Sequence, residues 1–311
     1  MRILVTGGAG FIGSHLCAHL VSKGHDVLAY DHGSASAPVW LKVARARYCN
    51  AEIIAGDILD TANLARVIRE FDADTLIHLA AKPGVAEAEQ DPGLYRRVNV
   101  HGVDSVIEAC ASTALRRIIY ASSSSVYGDA SGQVNEADSP TPIGRYGQTK
   151  LEGEEKIRQA SKLRGIHARI LRPFTVIGPM GRPDMAPWKF AEAISKHAKV
   201  NLHVGAMRDF TSVYDVVSAF ALAAELPWEG CETYNIGSGV CYGADVLAKL
   251  LAEAMGKALF HELGTLPPYM PKKTWSDSSG AMTRLAWRPK VAFPDAVRGF
   301  ASWYQSNDQN G

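Results

Sequence analysis

An excess of charge of either sign is missing from this sequence. Lys and Arg number 33 against 32 Asp and Glu, a formal net charge of +1. A broad basic face for nucleic acid or an anionic membrane is therefore not expected, and neither is counted among the partners. Local basic residues can still grip a single phosphate. Long hydrophobic runs are also missing, and no stretch approaches the roughly 20 apolar residues that span a bilayer. The five cysteines, Cys17, Cys49, Cys110, Cys231 and Cys241, are scattered and odd in number. That spacing argues against a zinc site or a redox dithiol and for reduced, mostly buried thiols, so no metal is expected. Residues 2–5 read as a strand and not as a secretory leader, which makes the cytoplasm the expected location. There is no internal repeat and no low-complexity tract.

What is present is an ordinary globular composition, 47% hydrophobic and 21% charged over 311 residues. That length suits one nucleotide-binding domain and a smaller appended lobe. Short apolar runs alternate with amphipathic stretches through the first half. Strands are expected at 3–6, 27–30, 52–55, 75–79, 117–121 and 168–171, and helices at 13–23, 64–70, 100–111 and from 146 to 164. This alternation is the pattern of a doubly wound parallel α/β sheet. From 173 to 185 the chain is dense in Pro, Gly and Arg and reads as a functional loop. The expected division is 1–172 for the nucleotide domain and 173–311 for a substrate lobe, with a strand or two returning to the main sheet.

Thr6-Gly7-Gly8-Ala9-Gly10-Phe11-Ile12-Gly13 joins the first strand to the first helix. Glycines at 7, 10 and 13 permit a tight turn that aims backbone N–H groups at a pyrophosphate on the helix N-terminus. Such a spacing is weak alone, since glycines gather in turns. Asp31 strengthens it by ending the second strand about 20 residues on, where a carboxylate accepts from an adenosine ribose and repels a 2′-phosphate. The expected cofactor is NAD in a Rossmann domain. Asp57 and Ile58 after the third strand face the adenine position. Leu79, Ala80, Ala81 and Lys82 after the fourth let a cofactor lie across the sheet's edge. His78 reads as a structural histidine.

Ser122-Ser123-Ser124-Ser125 ends the fifth strand, and Tyr146 and Lys150 open the next helix four residues apart, on one face. A phenol titrates near 10, so its use as a base requires a cation to hold the phenolate. Lys150 supplies one, and Ser123 is the best hydroxyl to share the substrate oxygen. An isolated Tyr-x-x-x-Lys is usually a surface pair; its position after a dinucleotide fingerprint is what favours hydride chemistry.

Together these residues resemble the extended short-chain dehydrogenase/reductase family of NAD-dependent sugar-nucleotide epimerases and dehydratases, over essentially the whole chain. The resemblance implies Tyr146 as base and acid, Lys150 as electrostatic partner and ribose ligand, Ser123 as assisting hydroxyl, and Asn99 beside the cofactor. His32, Ser122 and Pro173 complete the expected cofactor-lining set. The segment 171–186, with Lys189-Phe190, Arg208-Asp209-Phe210-Thr211, Trp275-Ser276-Asp277 and Trp287-Arg288-Pro289-Lys290, is similar to UDP-glucuronate 4-epimerases. The dehydratase relatives carry Asp-Glu, and the decarboxylases Glu, where this chain has Ser124-Ser125. Serines there would donate to a C6 carboxylate, with Thr175 opposite, while Arg208 and Arg182 would neutralise the diphosphate. The loop after Asp31 departs from the family's pattern. The resemblance implies UDP-glucuronate to UDP-galacturonate epimerisation through a 4-keto sugar, in a homodimer joined by the helices at 100–111 and after 146. The alternatives are a 4-epimerase of UDP-glucose or UDP-N-acetylglucosamine, a net ketoreductase, and a catalytically silent NAD-binding protein.

Overall fold

The computed structural model describes residues 1–33, 37–129 and 131–307; part of the loop after Asp31 lies outside the described residues. In chain order the nucleotide-binding half runs β1 (Arg2–Thr6), α1 (Phe11–Ser22), β2 (Asp26–Asp31), α2 (Val39–Cys49), β3 (Glu52–Ala55), α3 (Thr61–Phe71), β4 (Thr75–His78), α4 (Val85–Gln90) and α5 (Pro92–Arg96). A π-helical turn at Arg97–His101 leads into α6 (Gly102–Ala111), followed by β5 (Arg117–Ala121), a 3-10 turn at Ser124–Tyr127, α7 (Arg145–Arg164) and β6 (His167–Pro173). The remainder comprises β7 (Thr175–Ile177), α8 (Ala186–Ser195), β8 (Val200–His203), β9 (Met207–Ser212), α9 (Val213–Glu225), β10 (Cys231–Ile236), β11 (Cys241–Gly243), α10 (Ala244–Met255), β12 (His261–Gly264), β13 (Lys273–Thr274), α11 (Ser279–Arg284) and α12 (Phe293–Asn307).

The main sheet has the order β10-β6-β5-β4-β1-β2-β3, with every neighbouring pair parallel. This is the doubly wound Rossmann arrangement, and its chain reversal between β1 and β4 opens a crevice at the strands' carboxyl ends. Alternation along β1 sends Ile3 and Val5 to one face, against Leu16 and Leu20 of α1 and Val216, Val217 and Phe220 of α9. Leu4 faces the other way, onto α3, α6 and α7. Full burial of such leucines contributes on the order of 2 kcal/mol each. A third core unites α8, α10 and α12, where Phe293 stacks between Phe210 and Tyr242 with ring centroids 4.8 and 4.4 Å away.

The expected strands are all found, within a residue or two at their ends. Several details differ. α1 begins at Phe11 and not Gly13, because Gly10 already serves as its N-cap. The helix expected from residue 100 starts as the π-helical turn that contains Asn99. The Pro/Gly-rich stretch after Pro173 includes β7, which pairs in parallel with β9. α2 is a helix that the sequence pattern does not announce, since it carries arginines and a weak apolar face and is held by Leu41 and Cys49 in separate cores.

Candidate active site

The glycine-rich turn has the geometry that a dinucleotide requires. Gly7 adopts φ +72°, and a Cβ there would stand 2.7 Å from the Ala80 nitrogen. A Cβ on Gly13 would fall 2.0 Å from the Gly7 carbonyl oxygen, so the helix start and the turn can approach this closely only without side chains. α1 has no side-chain cap and no acidic residue in its first turn, leaving the positive end of the helix for an anion. Asp31 braces the turn: Ala9 N–H donates to its Oδ2 at 3.0 Å and Gly33 N–H to its Oδ1 at 2.7 Å. These features fit NAD, with the turn for its pyrophosphate and the Asp31 edge for its adenosine ribose.

The other expected cofactor residues lie along the same edge. His32 is exposed beyond β2. Tyr30 donates from its hydroxyl to the Asp57 carbonyl at 3.0 Å, and Leu59 N–H donates to Asp57 Oδ1 at 3.0 Å. Ile58, expected against the adenine, is instead buried in the core beside Gly102. Leu79 N–H donates to the Thr6 carbonyl at 3.1 Å, which continues the sheet into Ala80, Ala81 and Lys82. Asn99 clamps the end of that strip: its Oδ1 accepts from Lys82 N–H at 2.7 Å, while its Nδ2 donates to the Lys82 carbonyl at 3.0 Å and to Thr149 Oγ1 at 3.1 Å. Pro173 is buried at the end of β6, opposite Ile236. His78 hydrogen-bonds Thr6 at 2.7 Å, and burial, helped by the Lys150 charge, pushes its pKa down to about 3. It is a neutral structural ring.

The expected reacting residues meet where α7 packs on the serine turn. A Cβ on Gly147 would stand 2.3 Å from the Ser125 carbonyl oxygen, so glycine is what permits the contact. Tyr146, half-buried beside it, has the Ser123 hydroxyl as its polar neighbour and lies edge-on to Tyr95 at 6.5 Å. Burial pushes the phenol's pKa up, while the Arg182 charge and the Ser123 hydrogen bond pull it back and Asp184 opposes them. Lys150 is buried with its Nζ 4.7 Å above the Tyr120 ring. Burial lowers its pKa to about 7 against the favourable charge of Glu154. Ser123 Oγ also contacts Ser125 Oγ at 3.1 Å and accepts from Ser125 N–H at 3.1 Å. Ser124 is buried at the first position of the 3-10 turn, and Thr175 opens β7.

Some expected residues stand differently. Ser122 donates its hydroxyl to Glu154 Oε1 of α7 at 2.5 Å, the side to which the strand's alternation turns it, so this hydroxyl is already engaged. Arg182 is ion-paired with Asp184 and acts electrostatically on Tyr146, Tyr95 and Arg45. Its charge is therefore felt at the phenol, a position that the diphosphate assignment did not anticipate. Arg208 donates from NH1 to the carbonyls of Met207 at 2.8 Å and Lys272 at 3.1 Å, and burial lowers its pKa.

Several polar supports have partners that the sequence does not announce. Glu154 and Arg172 form a buried bidentate pair at 2.8 and 2.6 Å. Asp209 collects Ser238 N–H at 2.8 Å, Ser238 Oγ at 2.7 Å, Gly239 N–H at 3.0 Å, Ser276 N–H at 3.1 Å and Ser276 Oγ at 2.5 Å, which joins the loop after β10 to the segment before α11. Arg45 of α2 donates to the carbonyls of Met180 and Gly181, securing the turn that precedes Arg182. Glu154 could have been found, since it continues the four-residue spacing of Tyr146 and Lys150; partners brought from distant strands could not. Among the described residues no His, Cys, Asp or Glu grouping could hold a metal ion, and no helix is long and apolar enough to cross a membrane.

Known proteins share both the sequence and this architecture. Residues 3–237 match the NAD dependent epimerase/dehydratase family. The chain is 32% identical over 314 residues to the uncharacterized UDP-glucose epimerase YtcB of Bacillus subtilis (strain 168), with 98% of each covered. It is 29% identical over 312 residues to a UDP-glucuronate 4-epimerase of Thermodesulfobacterium geofontis (strain OPF15), covering 98% of this chain and 96% of the relative. The crystal structure of UDP-glucuronic acid 4-epimerase from Bacillus cereus, in complex with UDP-glucuronic acid and NAD, superposes with a TM-score of 0.93 at 34% identity, covering 98% of this chain and 99% of that one. A Thermus thermophilus UDP-glucose 4-epimerase complex with NAD gives a TM-score of 0.89 at 29% identity, covering 98% of this chain and 99% of that one. With residues 3–237 matched by the family, relatives covering 98% of the chain and the dinucleotide turn intact, this protein belongs to the NAD-dependent epimerase/dehydratase family.

Proposed function

We propose that this protein interconverts UDP-glucuronate and UDP-galacturonate by inverting C4. The observation that carries the proposal is the placing of the Tyr146 phenol beside Ser123, one helical turn from buried Lys150, on a serine turn without a carboxylate at 124 or 125. Bound NAD supplies the hydride acceptor and donor that take the sugar through its 4-keto form and back. Tyr146 takes the C4 hydroxyl proton and returns it, Ser123 orients the same oxygen, and the Lys150 ammonium stabilises the phenolate. Ser124, Ser125 and Thr175 hold the C6 carboxylate. Held in the plane of the sugar, that carboxylate is poorly aligned to leave as CO2, and the lack of an acid at 124 and 125 leaves nothing to drive elimination. Arg208 serves the diphosphate. Arg182, expected in the same role, is proposed to add positive charge at the reacting centre as well.

The similarity to a Bacillus cereus enzyme crystallised with UDP-glucuronic acid supports the charged-sugar reading. We further propose that residues 1–172 carry the cofactor and 173–311 mainly the substrate, that α6 and α7 join two copies in a homodimer, and that the protein works in the cytoplasm. The test is incubation of purified protein with UDP-glucuronate, without added reductant, followed by chromatography. Accumulation of UDP-galacturonate without CO2 is the expected result. In parallel incubations, turnover of UDP-glucose or UDP-N-acetylglucosamine alone would move the assignment to a neutral sugar, and consumption of NADH supplied together with a 4-keto sugar nucleotide would identify a reductase.

A further inference from the structure

The polar groups beneath the reacting centre form one connected, buried set. Arg172 of β6 donates to both oxygens of Glu154, from Nε at 2.8 Å and from NH2 at 2.6 Å, and from NH1 to the Tyr127 hydroxyl at 2.6 Å. Tyr127 donates onward to Asn235 Oδ1 of β10 at 2.8 Å. Ser122 donates to Glu154 Oε1 at 2.5 Å, and Arg158 approaches Oε2 at 3.2 Å. Glu154 and Arg172 are 1% and 2% exposed. The set therefore ties α7, the end of β5, the serine turn, β6 and β10 together at one place.

A buried ion pair is weak evidence for stability, because desolvation of two charges offsets most of their attraction. Its location gives it another use. Glu154 lies one turn beyond Lys150 on the same face of α7, and Ser122 precedes Ser123 in the chain. We propose that Glu154, held by Arg172, is a positioning residue for the reaction: through Ser122 it fixes the end of β5 that carries Ser123, and from α7 it sets the electrostatic surroundings of Lys150. This rests on the epimerase reading above for its catalytic consequence, though its electrostatic part does not.

Few titratable groups face Lys150. On α7 these are Tyr146 and Glu154, on β5 Tyr120, and on β4 His78. Burial keeps the Tyr120 phenol protonated and the His78 ring neutral, so Glu154 supplies the negative charge. Burial would also raise the Glu154 pKa, but the hydrogen bonds and charge of Arg172 and the Ser122 hydrogen bond hold it below the usual carboxylate range. A carboxylate kept ionised at this site favours the Lys150 ammonium, the form that stabilises a phenolate.

The test uses the NAD-loaded protein with 13C-labelled lysine, the Lys150 signal being assigned by its loss in Lys150→Met. Glu154→Gln alone leaves Arg172 as an uncompensated buried charge and risks misfolding. Glu154→Gln combined with Arg172→Met removes both charges at similar volume. In the double variant the Lys150 Cε titration midpoint is expected to fall by about half a pH unit or more, and the alkaline limb of kcat to move down with it while KM holds. Ser122→Ala is expected to lower kcat several-fold with the Lys150 midpoint unmoved. A folded double variant with the wild-type midpoint overturns the proposal, as does a Ser122→Ala variant with wild-type kcat. Absence of any epimerisation by wild type would refute the substrate reading, while the lysine midpoint would still decide the electrostatic one.

Discussion

The backbone of Ser125 occupies the space that a side chain at Gly147 would need: a Cβ there would lie 2.3 Å from the Ser125 carbonyl oxygen, with the Pro142 side chain 3.0 Å away on another side. Neither the turn's backbone nor the packed helix can give way cheaply. Gly147→Ala is thus expected to push α7 off the serine turn and part Tyr146 from Ser123. The cost should be about 1–3 kcal/mol in stability, with kcat reduced about tenfold or more and bound NAD retained, since the glycine-rich turn is elsewhere. Epimerase kinetics and cofactor absorbance of the purified variant check this; unchanged kcat would mean that the contact plays no part in placing the phenol.

Tyr146→Phe retains the ring that meets Tyr95 edge-on and removes only the hydroxyl. Turnover should drop by about 10²–10⁴-fold, the usual range for a general acid-base group, while melting temperature and NAD content stay close to wild type. Activity near the wild-type level in this variant would remove Tyr146 from the mechanism.

Acid sensitivity should trace partly to His78. In the unfolded chain the ring takes up a proton as pH falls through 6.5, whereas in the folded protein burial holds it neutral down to about 3. Between those values protons favour the unfolded chain, so stability declines as pH is lowered. The contribution reaches about 2 kcal/mol at pH 5, at 1.36 kcal/mol per pH unit below the usual value. His78→Asn, which keeps a polar partner for Thr6 but cannot titrate, is expected to flatten this part of the profile. Urea unfolding of both proteins at pH 7 and pH 5 measures the difference, and identical slopes would locate the sensitivity elsewhere.

Asp209 should be among the costliest positions to alter. Its oxygens accept from backbone N–H groups of Ser238, Gly239 and Ser276 and from two serine hydroxyls, with no exposure to solvent. Asp209→Asn sets an amide NH2 against donors and removes the charge, at a cost of about 3 kcal/mol or more from unsatisfied buried groups. Denaturant midpoints would record this as a large loss; a variant as stable as wild type would show that the loops find other acceptors.

The local features of the nucleotide domain were legible because short-range physics controls them. Short continuous apolar runs such as 3–6 and 117–121 suit strands buried on both faces of a parallel sheet, and glycines at 7, 10 and 13 between the first of them and a helix suit a tight phosphate-binding turn. Tyr146 and Lys150 share a face by helix geometry alone, whatever surrounds them. Tertiary structure decided the rest, since the remaining effects arise between residues far apart in the chain. Nothing near Glu154 announces that Arg172 and Ser122 will close around it, or that Asp209 will anchor two loops. Lys150 carries its depressed pKa only because folding removes it from water, and Arg182 reaches the field of Tyr146 only because the turn at 178–185 folds back toward α7. Sequence spacing thus determined which groups could act together, whereas burial and long-range hydrogen bonding determined their charge and orientation.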